Sequence, residues 1–256
     1  MGKLLKTLTA VATVVTVGAI QAGPVTGQGT WESTLQARDL DGSASNGPEA
    51  FYDSVLNLTW LRAGSTAEDT WANGKAWAEQ ERYGTNGWRL PKVLDTGTEG
   101  CDFSFAGGTD CGMNLQTKTG DPTKYEAGQV VYSEMAHLFY VTLGNKARCN
   151  PATSTTNTCD PQPDWGLTNT GEFLGLQSSE YWSDTEFAPD TSYVWLFSNF
   201  DGSQGPGSGK GSPEFAMAVL DGDVLAVPEP ATPALVAAAL LFVAATRKRS
   251  SALGTS

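Results

Sequence analysis

Two acidic residues near the N-terminus of the chain, Asp39 and Asp41, alternate with other residues in a stretch rich in Gly and Ser, and Glu49 and Asp53 follow downstream. Alternating carboxylates suit a hard cation such as calcium, which takes about six to eight oxygen ligands. The spacing departs from the EF-hand pattern, because Gly42 comes too early in the stretch. We therefore expect Asp39 and Asp41 either to bind calcium or to form an acidic turn without metal.

Three later polar residues, Gln162, Asp164 and Asp184, belong to two short motifs. The tripeptides that begin at Gln162 and at Trp182 resemble the Gln-Pro-Asp and Trp-Asn-Asp motifs of calcium-dependent galactose lectins. The resemblance implies a candidate ligand loop at these three residues. One residue departs from it, because Ser183 stands where those lectins have the Asn that contributes a calcium ligand.

The composition of the chain argues against several classes of protein. Its 256 residues carry a net charge of −12, whereas a nucleic-acid-binding protein needs a basic face to meet phosphates. A single histidine argues against His-rich metal sites and against a Ser-His-Asp arrangement. Carboxylates are plentiful, but their spacing singles out no acid/base pair for a glycosidase. We therefore expect a protein that is not an enzyme and binds no nucleic acid.

Four cysteines form two sequence pairs, Cys101 with Cys111 and Cys149 with Cys159. Four cysteines allow three disulfide pairings, and the local one is favoured because the residues between each pair are rich in Gly, Thr, Asn and Asp. A zinc site is the alternative, but the chain has no Cys-x-x-Cys motif and no second histidine. An even number of cysteines in an exported chain is typical of structural disulfides.

The N-terminal residues 1–22 have the pattern of a secretory signal peptide. Lys3 and Lys6 precede a short apolar run, and small Ala22 offers a cleavage point before Gly23. The run is shorter than the ~20 residues that a membrane span needs. The sequence therefore predicts export.

The C-terminal residues 227–256 combine a short apolar segment at about 231–246 with a basic end. This tail resembles the PEP-CTERM sorting signal of Gram-negative bacteria, and the matching residues are Pro228, Glu229, Pro230, Arg247, Lys248 and Arg249. The resemblance implies recognition by an exosortase, transient anchoring in the membrane, and delivery to the cell surface or extracellular matrix.

Removal of both ends makes the chain more acidic. Residues 23–227 contain 11 basic and 27 acidic residues, which gives a charge of −16. Such a surface repels polyanions unless divalent cations intervene. We therefore expect any ligand to be neutral or bridged by a cation.

The middle of the chain, residues 23–226, reads as one domain that is rich in strands. Apolar runs at 57–61, 193–197 and 215–220 predict strands, and helices are expected at about 70–82 and from a Ser133 cap to Leu143, with Gly144 as the stop. The long segments 94–131 and 145–180 each contain one cysteine pair. We expect His137 to lie on the solvated side of its helix.

Several motifs of this domain occur in a fixed order: Phe51-Tyr52-Asp53, Leu58-Thr59-Trp60-Leu61, Gly87-Trp88-Arg89-Leu90-Pro91 and Tyr181-Trp182-Ser183. Over roughly 31–224 the chain resembles the domain of unknown function 1566, also called the Lcl C-terminal domain. The resemblance implies a C-type-lectin-like α+β fold, with two helices packed on a twisted, mainly antiparallel sheet and long disulfide-stapled loops.

Aromatic residues of these motifs are expected in the core. Trp60, Trp88 and Trp182 each bury on the order of 200 Å² when packed inside a domain. Arg89 lies between Trp88 and Leu90, where it either stacks on a ring or bridges a carboxylate.

The sequence thus predicts an exported binding or adhesion module of the cell surface or exopolysaccharide matrix, with extracellular polysaccharide as the expected partner. Two alternatives remain open at this point. The first is a carbohydrate-active hydrolase of the matrix, and the second is a structural matrix component without a specific ligand, because the fold does not decide function.

Overall fold

The computed structural model describes residues 22–43, 45–95, 100–115, 132–207 and 209–225. In chain order the elements are α1 (Trp31–Thr34), β1 (Leu35–Arg38), β2 (Ala50–Asp53), β3 (Leu58–Leu61), α2 (Trp71–Ala78), α3 (Glu134–His137), a π-helical turn (Leu138–Thr142), β4 (Glu180–Glu186), β5 (Val194–Ser198), β6 (Gln204–Pro206) and β7 (Val219–Asp221). The α+β class is confirmed, because the described elements are two antiparallel sheets and a few short helices.

The first sheet has four strands in the order β1-β2-β3-β7, all antiparallel. Strand β3 lies between β2 and β7, and all four of its residues are buried. Trp60 pairs with Phe51 on one side and with Val219 on the other. The strand predicted at 57–61 is therefore confirmed, whereas only the end of the predicted run 215–220 belongs to a strand.

The second sheet has the strand order β4-β5-β6 and is also antiparallel. Its register shifts between Trp182 and Glu186, where β4 contains an irregularity. The segment before β7 joins the two sheets, because the Trp182 N–H donates to the Phe215 carbonyl at 2.9 Å. The predicted strand 193–197 is confirmed as β5, shifted by one residue.

Both predicted helices are present, and local hydrogen bonds fix their ends. Helix α2 begins after Thr70 and stops at Ala78, four residues earlier than predicted. Ser133 caps α3, since its side chain accepts from the Ala136 N–H at 3.0 Å. The helix continues as the π-helical turn, and Gly144 follows with a left-handed φ of 66°.

The prediction of a solvated His137 is wrong. The side chain is 1% exposed, and its neighbours Met135, Ala136 and Leu138 are also buried. Helix α3 is a single short turn that enters the core whole, so it has no solvent-facing side at this position. Such a helix is buried by the elements packed around it on every side. An amphipathic pattern in its sequence therefore does not predict which of its residues are exposed.

The motif tryptophans lie in the core, as the sequence predicts. Trp60 and Trp182 are fully buried and Trp88 is 2% exposed. Trp60 packs with Phe139 and Tyr181 in the largest apolar cluster. Trp88 and Trp182 belong to a second cluster that lies beside it.

Arg89 bridges carboxylates, which is one of the two roles expected from the sequence. Its Nη1 and Nη2 donate to the two oxygens of Glu134, both at 2.8 Å, and Nη2 also donates to Asp221. Burial opposes the positive charge, but the hydrogen bonds and charges of Glu134 and Asp221 outweigh it and raise the pKa of Arg89. The side chains of Arg89 and Glu134 are 12% and 13% exposed. A bidentate pair of this kind fixes orientation as well as distance.

Both disulfides are the local ones predicted from the sequence. Cys101 bonds to Cys111 and Cys149 bonds to Cys159, with Cα–Cα distances of 5.5 and 5.1 Å. Each closes a short loop within one of the two long segments that separate the regular elements.

The two terminal signals lie largely outside the described residues. This holds for residues 1–21 of the predicted signal peptide and for the sorting motif at 228–230 with its apolar segment and basic end. Among the residues that the structure describes, no helix is long and apolar enough to cross a membrane.

We expect Arg89→Met to lower the free energy of unfolding by about 3–5 kcal/mol, because it leaves the Glu134 carboxylate buried without its partner. The matched control is Lys210→Met, which removes the more exposed ion pair with Glu186 and should cost about 0–1 kcal/mol. Urea unfolding followed by tryptophan fluorescence measures both. Equal losses in the two variants would contradict a structural role for the buried pair.

We expect the double variant Cys149→Ser, Cys159→Ser to lose about 2–3 kcal/mol, because the open loop regains conformational freedom in the unfolded chain. Urea unfolding measures the loss, and peptide mapping without reducing agent checks the pairing. Free thiols in the native protein, or a bond between Cys111 and Cys149, would contradict the structure.

Candidate functional site

The predicted acidic residues Asp39 and Asp41 come together with Glu49 in the loop between β1 and β2. One ligand oxygen from each lies within 4.8 Å of the others. Asp39 and Asp41 are exposed, whereas Glu49 is buried. Asp53 is not part of this group, because its buried carboxylate accepts from the N–H of Val55 at 2.9 Å instead.

Backbone hydrogen bonds already use part of these carboxylates. Asp39 accepts from the Gly42 N–H at 2.7 Å, and Glu49 accepts from the Leu40 N–H at 2.8 Å. Asp41 accepts from the Ser43 N–H at 2.7 Å and from the Asn46 side chain at 2.8 Å. The carboxylates therefore order the turn by themselves. The three offer oxygen ligands of the type calcium takes, and calcium binding here stays a prediction.

The three residues of the lectin-like motif have different surroundings. Gln162 donates to the carbonyls of Ala147 at 2.7 Å and Cys149 at 3.2 Å, which ties the loop to the second disulfide. Asp164 is exposed at a left-handed φ of 55°. Asp184 lies in β4 and forms an ion pair with Lys75 of α2. Within the described ranges, no hydrogen bond or ion pair joins Asp184 to the other two, and the shared site stays a prediction.

An aromatic pair of one half-buried and one exposed ring lies next to this loop, and the sequence analysis did not single it out. The rings of Trp165 and Phe200 meet edge to face, with centroids 5.3 Å apart, and Phe200 is 52% exposed. The guanidinium of Arg148 lies 5.8 Å from the Trp165 ring. We call Trp165, Phe200 and Arg148 the aromatic platform. In the sequence, the one feature that could have pointed to Trp165 was its position directly after Asp164 of the lectin-like motif.

Positive charge accompanies the aromatic platform in an acidic protein. Lys146 and Arg148 are both exposed. Among the described residues, neither forms an ion pair with a carboxylate, whereas Arg38, Lys75, Arg89 and Lys210 all do. The platform therefore presents free hydrogen-bond donors beside two aromatic rings.

A second group consists of Asp69 and Glu214, whose backbones pair and whose carboxyl groups have opposite pKa shifts. Their backbones exchange two hydrogen bonds of 3.0 Å. Burial, with the charges of Glu180 and Glu68, raises the pKa of Glu214 to about 7. Hydrogen bonds from Asn73 and Thr70 lower the pKa of Asp69. Both residues line a cavity of about 150 Å³.

No protein-family model, curated protein or solved structure matches the chain. Conclusions about function therefore rest on the geometry of these groups.

We expect the stability of the protein to fall as pH rises from about 5 to 8, through the ionisation of Glu214. Its folded pKa of about 7 exceeds its ordinary value of 4.5. The folded state therefore holds the proton more tightly than the unfolded state in this range, and the resulting stability is lost as pH rises. Glu214→Gln should raise the melting temperature at pH 8 more than at pH 5.

Thermal unfolding at both pH values tests this expectation. Glu81→Gln is the matched control, because Glu81 is an exposed carboxylate. A pH dependence in Glu214→Gln that equals the wild-type one would refute the assignment.

Proposed function

We propose that the protein is an exported, non-catalytic saccharide-binding module of the cell surface or exopolysaccharide matrix of a Gram-negative bacterium. The aromatic platform is the observation that carries this proposal. Exposed apolar surface rimmed by polar groups is typical of interaction sites. Aromatic rings offer rigid contact area, and Arg148 with Lys146 offers donors for sugar hydroxyl groups.

The loop that bears the platform is held in place, which favours binding. The Cys149–Cys159 disulfide and the hydrogen bonds from Gln162 to Ala147 and Cys149 limit its freedom. The Gly166 N–H also donates to the Lys146 carbonyl at 2.9 Å. A loop ordered before it meets its ligand loses less conformational entropy on binding.

The proposal includes a C-type-lectin-like fold and membership of the domain family 1566. Support comes from the motif residues, which occupy structural positions: Trp60 in the central strand, Trp88 and Trp182 in the core, and Arg89 in its buried ion pair. Two loops stapled by disulfides agree with the expected architecture.

Export, processing by an exosortase and transient anchoring in the membrane belong to the same proposal. The two disulfides support it, since such bonds persist in oxidising compartments outside the cytoplasm. The terminal signals themselves rest on the sequence pattern.

We expect the purified mature protein to bind exopolysaccharide from a bacterium that carries exosortase, and to release no sugar from it. In isothermal titration, Phe200→Ala should weaken binding about tenfold, because it removes one of the two rings. The matched control is Phe103→Ala. Phe103 is 38% exposed and also meets a second ring edge to face, that of Phe105. Equal affinity of the two variants, or no binding to any glycan, would refute the proposal and favour a structural matrix protein.

The same titration with calcium and with chelator tests the two predicted cation sites. If Asp164 and Asp184 hold the ion, their change to Asn removes the calcium dependence of binding. If the acidic turn holds it, the change of Asp39 and Asp41 to Asn does so instead. Affinity that is equal in calcium and in chelator would refute both.

One observation favours a hydrolase as the second candidate function. Acid–base catalysis uses one carboxyl group with a raised pKa and one that stays ionised. Glu214 has a raised pKa and Asp69 a lowered one, and both residues line one cavity. Release of reducing sugar from the polysaccharide, abolished in Glu214→Gln, would establish this function in place of pure binding.

A further inference from the structure

A groove of about 420 Å³ lies beside the end of β3, and its lining includes no residue of the aromatic platform. Its lining combines charged and apolar side chains, and the ones that matter are Glu49, Leu61, Arg62, Arg82, Tyr83 and Leu174. The volume lies in the range of about 300–1,000 Å³ that is usual for small-molecule sites. We call it the Arg82 groove.

Both arginines of the groove are bound to backbone carbonyls rather than to carboxylates. Arg62 donates from Nε to the Glu172 carbonyl at 3.1 Å and from Nη1 to the Pro48 carbonyl at 3.2 Å. Arg82 donates from Nη1 to the Ala78 carbonyl at 2.8 Å. In the part of the chain that the structure describes, Nη2 of Arg62 and Nε of Arg82 make no hydrogen bond.

The lining of the groove carries more positive than negative charge, although Asp39 and Asp41 lie close to its residue Glu49. The two arginines face one lining carboxylate, Glu49, and that carboxylate accepts the Leu40 N–H at 2.8 Å. No ion pair joins Glu49 to either arginine within the described residues. The lining therefore keeps a net charge of +1, although acidic residues outnumber basic ones 28 to 16 in the whole chain.

The position of Arg82 makes an anion in the groove favourable. Its guanidinium lies 4.6 Å from the centroid of the Trp77 ring, which holds the planar group in one orientation. Burial lowers the pKa of Arg82, with no carboxylate to offset the loss of water. An anion that binds there supplies the missing countercharge.

Apolar side chains form the rest of the rim and stay exposed. Tyr83 is 50% exposed and Leu174 is 52% exposed. Tyr83 has a left-handed φ of 53°, a conformation that residues other than glycine rarely adopt. In this conformation Tyr83 lines the groove. Leu61 is buried at 7% exposure and forms part of the wall.

We propose that the Arg82 groove binds a small amphipathic carboxylate, a molecule with one carboxylate group and an apolar ring or chain. The carboxylate accepts from the free N–H groups of Arg62 and Arg82. The apolar body lies against Leu61, Tyr83 and Leu174. This site is additional to the proposed saccharide-binding function and shares no residue with the aromatic platform.

Titration of the mature protein with 3-phenylpropionate, followed by amide chemical shifts in NMR, tests the proposal. A ligand of this size should bind with Kd on the order of 1 mM. The neutral analogue 3-phenylpropanamide has the same shape without the charge and should bind at least about tenfold more weakly. Shifts should be largest at residues 61–63, 82–84 and 174. Equal affinity for acid and amide, or shifts centred elsewhere, would overturn the proposal.

Variants separate a ligand site from a structural role of the arginines, which also bind carbonyls. Leu174→Gln removes an apolar contact without adding charge and should weaken binding of acid and amide to the same extent. Leu174→Glu also adds a negative charge at the exposed rim and should weaken binding of the acid about fivefold more than Leu174→Gln does. Arg82→Gln should abolish the preference for acid over amide if its spectrum shows an intact fold.

The control for a general charge effect is Arg148→Gln on the aromatic platform. It removes a cation outside the groove and should leave binding of 3-phenylpropionate unchanged. It should weaken saccharide binding. The proposed saccharide site and the Arg82 groove can therefore be tested independently of each other. Loss of carboxylate binding in Arg148→Gln would overturn the assignment to the Arg82 groove.

Discussion

The ion pair between Arg89 and Glu134 determines how three parts of the chain meet. Arg89 exchanges two backbone hydrogen bonds of 2.8 Å with Val219, so its segment extends the edge of the first sheet. Glu134 is the first residue of α3, and its carboxylate also accepts the Lys92 N–H at 2.7 Å. Because a buried charge without a partner is costly, this helix has one favourable position against the sheet.

That position carries core residues with it. Leu138 and Phe139 follow directly after α3, and Phe139 meets Phe197 of the second sheet with ring centroids 5.4 Å apart. The two sheets are thus packed around a helix that the ion pair holds. The platform residues lie outside the described strands and helices, which agrees with the general placement of binding residues on loops over a rigid scaffold. The groove joins such loop residues, among them Tyr83 and Leu174, to Leu61 at the end of β3.

Features with a local cause were predictable from the sequence, and features made by distant contacts were not. Ser133, Gly144 and the two cysteine pairs act within a few residues of themselves, so their roles were read directly. Strand β4 was missed because Glu180–Glu186 is largely polar and is a strand through its pairing with β5. The acidic turn was found from its spacing, whereas the aromatic platform depends on Phe200 reaching Trp165 and the groove depends on Arg62 lying beside Arg82.

The order of the cysteines along the chain has a consequence for biogenesis. A chain that crosses a membrane from its N-terminus exposes Cys101 and then Cys111 before Cys149 emerges. Cys101 and Cys111 therefore meet before Cys149 emerges, and Cys149 and Cys159 are left for each other. An oxidant that joins thiols in the order in which they emerge thus produces the native bonds. The two other pairings join a cysteine of the first pair to one of the second, and these are the ones that require an isomerase to correct. For the proposed exported protein, a thiol oxidase is thus sufficient for native pairing, and disulfide reshuffling is not required.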